Sequence, residues 1–130
     1  MRPTLRAALI VPALAILLLL SSYATLAAQE GLDGQVPNSG AWAHYLVTRC
    51  ATYSGGPFII PATWPGTTLY AYVRDPFNNN PLGPTQQWNV GDQTWRDMGD
   101  LGNTQCFNIS ARKDFTGFGG TSNWTGTIDY

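Results

Sequence analysis

Hydrophobic and polar positions alternate in short runs along most of this chain, most plainly in "TLYAYVR" at 68–74. There Leu69, Ala71 and Val73 fall on one side and Tyr70 and Tyr72 on the other, the period-two pattern of a β-strand. The same pattern predicts strands at 42–49, 57–60, 85–90, 94–98, 105–113 and 123–130. In "QCFNISARK" the inward set is Phe107, Ile109 and Ala111, and in the last run Trp124, Gly126, Ile128 and Tyr130 align. Apolar groups on both faces of "WAHYLVTR" predict a central strand. "PFII" is held between Pro57 and Pro61, which predicts an edge. No segment beyond residue 40 carries the helix period.

Turn chemistry sets the expected connections. Gly91, Asp92 and Gln93 separate two runs by a hairpin-length link, and "GDLGN" at 99–103 predicts a second hairpin. "DFTGFGGTSN" at 114–123 reads as a longer glycine-rich loop, and "AQEGLDGQVPNSG" at 28–40 as a flexible lead-in. The expected fold is therefore all-β: one small antiparallel β-sandwich of about seven short strands over residues 41–130. A transmembrane barrel would need at least eight strands of about ten residues, and the prolines at 57, 61, 65, 76, 81 and 84 interrupt these runs.

The first 27 residues follow a different logic. Arg2 and Arg6 precede an uncharged apolar run from Ala7 to Leu20, and Thr25 and Ala27 offer a small-x-small cleavage site. This pattern predicts a signal peptide over residues 1–27 and a secreted or otherwise extracytoplasmic domain. If uncleaved, 7–28 is long enough to span a bilayer of roughly 30 Å and would be the chain's membrane contact. Export in turn predicts a disulfide between Cys50 and Cys106, the two cysteines of the chain. Such a bridge stabilises by about 4 kcal/mol in the chain-entropy account. Zinc or a cysteine nucleophile would need more histidine than His44, the sole one.

Charge narrows the partners. Beyond residue 27 five basic residues face eight acids with no basic cluster, so nucleic acid is not expected. Catalytic signatures are sparse too: no G-x-S-x-G occurs, and His44 reads as a hydrogen-bonded structural histidine on a strand. Asp75, Asp92, Asp97 and Asp100 are weak calcium candidates, because turn acids ordinarily bond backbone N–H groups. No cofactor and no catalytic residue is expected. Sequons begin at Asn108 and Asn123, both within expected strands.

Aromatic content then points to binding. Five tryptophans, five phenylalanines and six tyrosines exceed the needs of one small core. Trp64 sits between prolines in "PATWPG", Trp88 and Trp95 flank a turn, and Tyr70 and Tyr72 share the face opposite the aliphatic one. Phe107 and Trp124 are assigned to the core by their alternation. The expected function is a non-catalytic module that recognises carbohydrate or a surface polymer through Trp64, Tyr70, Tyr72, Trp88 and Trp95. The alternative is an extracellular protein partner. In that case the chain is a self-assembling structural subunit or an inhibitor presenting a rigid loop at 57–66.

Overall fold

The computed structural model describes residues 28–130; the expected export signal and its cleavage site lie outside the described residues. Nine strands run in order: β1 (Gln29–Pro37), β2 (Ala43–His44), β3 (Arg49–Cys50), β4 (Gly56–Thr63), β5 (Leu69–Arg74), β6 (Gln86–Trp88), β7 (Arg96–Leu101), β8 (Cys106–Lys113) and β9 (Thr121–Asp129). They form two antiparallel sheets, one ordered β1-β9-β4-β7 and the other β2-β8-β5-β6, with β3 also paired to β8. No helix occurs among the described residues. The chain passes from one sheet to the other at nearly every connection; of consecutive strands, only β5 and β6 pair with each other.

Inward positions from both sheets meet in one core. Leu69, Ala71 and Val73 of β5 are buried as their alternation predicts, and so are Phe107, Ile109 and Ala111 of β8. Opposite them stand Leu32, Val36, Ile59, Met98, Trp124 and Ile128 of the other sheet. Burial of each large aliphatic or aromatic side chain contributes about 1.5–3 kcal/mol. The Trp124 Nε1–H donates to the Tyr45 hydroxyl at 2.9 Å, which donates in turn to the Gln35 carbonyl at 3.0 Å. The one buried polar end of this indole is thereby satisfied.

The sequence-based expectations need correction at five places. Residues 29–37, expected as part of a flexible lead-in, form a nine-residue strand paired along its whole length with β9. Leu32, Gly34 and Val36 face inward there, an alternation diluted by glycine. The run 42–49 is not a central strand. It lies at a sheet edge and breaks into β2 and β3, because four residues (45–48) stand opposite two of β8 and push Leu46 and Val47 out to solvent. The run 57–60 is not an edge: β4 lies between β9 and β7, and its two prolines border register shifts, Pro57 in the pairing with β7 and Pro61 in the pairing with β9. Neither expected hairpin forms, since β6 pairs β5 and β7 pairs β4, while β8 pairs β2, β3 and β5. Finally, 99–103 is half strand, β7 continuing through Leu101.

The Cys50–Cys106 disulfide is present, joining directly opposed residues of β3 and β8. It pins the end of the interrupted edge strand. Near it, Arg49 is buried and forked onto Glu30, Nε to Oε2 at 3.0 Å and Nη2 to Oε1 at 2.7 Å. The Tyr130 hydroxyl adds a third donor at 2.9 Å, so one carboxylate ties β1, β3 and the C-terminal end together.

Candidate functional site

The outward residues of the five-stranded sheet form the candidate site. Register places them: Tyr70 opposes Arg112 on one side and Gln87 on the other, Tyr72 opposes Ser110, and Ser110 opposes His44. Trp42 immediately precedes β2 and its ring meets Tyr72 edge-on at 4.8 Å. The Arg112 guanidinium lies over two rings, 4.2 Å from the Tyr70 centroid and 5.2 Å from that of Trp42. Such stacking holds the flat cation in place while leaving its N–H edge open. Trp42, Tyr70, Gln86, Gln87, Arg96 and Arg112 line an open depression of about 600 Å³.

A second depression of about 390 Å³ lies further along the same strands, lined by His44, Leu46, Arg74, Asn79 and Asn108 among others. Arg74 is buried, opposite Asn108 in the ladder. It donates to Asn79 Oδ1 and to the Tyr45 carbonyl, but its Nε–H has no partner. Asn79 adopts a left-handed backbone, φ 63°, that asparagine tolerates better than most residues. With its amide turned to donate, Asn108 bonds Thr48 Oγ1 at 2.8 Å and packs the bulged edge against the sheet.

The structure brings some of the sequence-predicted residues together and removes others. Tyr70 and Tyr72 are on the site face, half-buried. The Tyr70 hydroxyl donates to Asp114 at 3.0 Å, and that bond, helped by burial, holds the phenol above its ordinary value and keeps it a neutral donor. Trp88 is a correction: it is fully buried, because it opposes the inward Leu69, and its Nε1–H donates to the Thr94 carbonyl at 2.9 Å. Trp64 is half-buried against the core with its Nε1 inaccessible, so it is not displayed outward. Trp95 is exposed but lines neither depression. Trp42, Arg112, Gln87 and Arg74 were not singled out from sequence. Trp42 and Arg112 each neighbour an inward alanine, Ala43 and Ala111, and the strand alternation that turns those inward turns these outward.

The weak calcium candidates are scattered. Asp75 accepts from the Phe77 and Asn78 N–H groups, Asp92 from Thr94 and Arg96, and Asp97 from the Gly99 N–H. Asp100 is exposed on β7. Among the described residues no group of three or more His, Cys, Asp or Glu side chains is gathered to hold a metal ion.

His44 has a serine within reach: its Nδ1 lies 2.8 Å from Ser110 Oγ. Ser110 has no exposed surface, however, and sits mid-strand between His44 and Tyr72. A nucleophile needs a path to its substrate, and among the described residues no carboxylate bonds the other side of this imidazole, so the pair reads as a structural hydrogen bond. The sequon at Asn108 is likewise buried, whereas Asn123 is exposed on β9. No protein-family model, curated protein or solved structure matches the chain.

Proposed function

We propose that this is an exported, non-catalytic carbohydrate-binding module whose ligand lies on the outer face of the five-stranded sheet, across Trp42, Tyr70, Tyr72 and Arg112. The observation that carries this reading is the depression itself: aromatic rings stand beside Gln86, Gln87 and a stacked guanidinium on a rigid sheet. Ring faces suit the C–H surface of a sugar and the amides its hydroxyls. The perpendicular set of Trp42 and Tyr72 does not make a flat stacking platform, so the fit is to a short segment of polymer rather than to a crystalline surface. A disulfide accords with an oxidising compartment outside the cytoplasm, and secretion through residues 1–27 is part of the same proposal.

The test is a glycan array probed with the oxidised protein and with Trp42→Ala. Retention of a defined set of glycans, lost by about tenfold or more in Trp42→Ala, is the expected result; stacking of this kind is worth about 1–2 kcal/mol at a desolvated site. No retention of any glycan by the folded protein overturns the reading.

One observation favours a protein partner as the second reading. Among the described residues β1 pairs with β9 on one side and has no strand on the other, leaving a nine-residue edge. Asp33 and the Tyr45 hydroxyl on the Gln35 carbonyl guard part of it. Light scattering that gives one mass at all concentrations contradicts self-assembly through this edge. The inhibitor version loses its loop, because residues 57–63 lie within β4 and Pro57 and Pro61 are buried.

A further inference from the structure

Resting on the carbohydrate reading, the geometry points to an acidic glycan as the ligand, one whose carboxylate or sulfate group is taken by Arg112. The starting point is where the charges lie. The described residues hold five basic side chains against eight acids, so the domain as a whole is acidic. Yet three of those five, Arg74, Arg96 and Arg112, line the two depressions of the outer face, and no Asp or Glu lines either one. Arg74 and Arg112 come from the outer face of the five-stranded sheet and Arg96 from β7 beside it; a lining that holds cations and no carboxylate favours an anion there.

The state of each cation singles out Arg112. Arg49 is satisfied by Glu30 and Arg96 by Asp92 at 2.7 Å. Lys113 is buried on Asn38 and Ser122, at 3.1 and 2.9 Å. Among the described residues the Arg112 side chain alone of these makes neither an ion pair nor a hydrogen bond; its partners there are the two rings. The nearest acid in sequence, Asp114, is occupied by the Tyr70 hydroxyl at 3.0 Å. A guanidinium carries five N–H donors in a fixed fork that matches a carboxylate or a sulfate ester. Here that fork is orientated by stacking and left without an acceptor at the rim of a cavity.

The chemistry of the lining agrees. A neutral sugar presents hydroxyls that both donate and accept, and a site for it benefits from carboxylate acceptors. This lining offers arginine N–H donors and the two-way amides of Gln86 and Gln87, with no anionic acceptor. Arg74 adds an independent indication: it is 4% exposed with no carboxylate partner, so its buried charge raises the potential of the adjoining depression. The two depressions are bridged on the sheet by the ladder of His44, Ser110 and Tyr72. A polymer following the strands places one acidic unit at Arg112 and a later one, about 13 Å further along at the rise of a strand, near Arg74.

The experiment extends the array to matched pairs: hexagalacturonate against its methyl ester, and a sulfated dextran oligosaccharide against the unsulfated one. The proteins are the wild type, Arg112→Gln and Arg112→Lys, each checked for fold by near-ultraviolet circular dichroism. Wild type is expected to prefer at least one acidic member by roughly tenfold or more over its neutral twin, as a charge-assisted fork implies. The preferred pair tells carboxylate from sulfate. Arg112→Gln abolishes the preference, and Arg112→Lys reduces it because an ammonium cannot reproduce the planar fork. Since the protein is acidic, non-specific attraction does not mimic this result. Equal binding of acidic and neutral members, unchanged in Arg112→Gln, overturns the inference and leaves the carbohydrate reading standing. Absence of binding to every member overturns the acidic-ligand inference; whether the broader reading falls with it is read from the full array.

Discussion

Trp88 and Trp42 are both tryptophans beside a strand, yet their opposite parity gives them opposite work. Trp88 fills the core next to Leu69 and bonds the Thr94 carbonyl, so Trp88→Ala leaves a cavity and an orphaned acceptor. The expected loss is about 3–5 kcal/mol, measured by urea denaturation. Trp42 is half-buried on the outer face, and Trp42→Ala is expected to change stability by less than about 1 kcal/mol while removing glycan binding. Glu30 supplies a pH dependence. The hydrogen bond from Arg49 holds its carboxyl below the ordinary carboxylate value. Its contribution is therefore complete above that ordinary value and is lost as pH falls through the depressed one. With the carboxylate 41% exposed, Glu30→Ala is expected to cost about 1–2 kcal/mol at neutral pH. The variant should also show a flatter fall of melting temperature between neutral and strongly acidic pH than the wild type.

At the scale of elements, β1 decides whether the sandwich closes. It covers β9 along nine residue pairs and sends Leu32 and Val36 into the core. A chain beginning at residue 38 should lose cooperative unfolding, as followed by tryptophan fluorescence; a wild-type melting temperature for it would contradict this account. Gly34 within β1 faces Tyr45 and Trp124 so closely that an added Cβ would lie 2.5 Å from the Tyr45 hydroxyl and 2.6 Å from Trp124 Nε1. Gly34→Val is therefore expected to break that hydrogen-bonded pair and destabilise by about 1–3 kcal/mol. The same strand marks the limit of what the sequence discloses. Period-two alternation was legible wherever aliphatic residues carried it, as in β5 and β8, and it assigned Leu69, Phe107 and Trp124 to the core correctly. It faded in β1, where glycine takes an inward place. Pairing was less legible than the strands themselves, because turn residues such as Gly91 and Asp92 suit an arch between sheets as well as a hairpin. The face of Trp88 depends on its pairing with β5 rather than β7, and that of Trp42 on the bulge that makes 42–49 an edge, and neither is written in the local alternation.

For the whole molecule, crossing between sheets makes most strand pairings distant in sequence, so folding must close long loops before they are rewarded. The Cys50–Cys106 bridge shortens one of them, and its reduction is expected to lower stability by about 4 kcal/mol, read as a shift in the urea midpoint. The four-stranded sheet turns a polar face outward, with Asn123 exposed and Thr63 bonded to Thr125 at 2.9 Å. Trp42, Tyr70, Tyr72 and Arg112 instead gather on the outer face of the five-stranded sheet. This division confines ligand contact to the outer face of the five-stranded sheet. Its most direct test is an amide and indole proton–nitrogen NMR titration of the oxidised protein with the glycan that the array retains most strongly. The account predicts saturable shifts at the Trp42 indole, Arg112 and Gln87, with the Trp88 and Trp124 indoles still. Shifts confined to the β1 edge or the four-stranded face, with Trp42 unmoved, would contradict it.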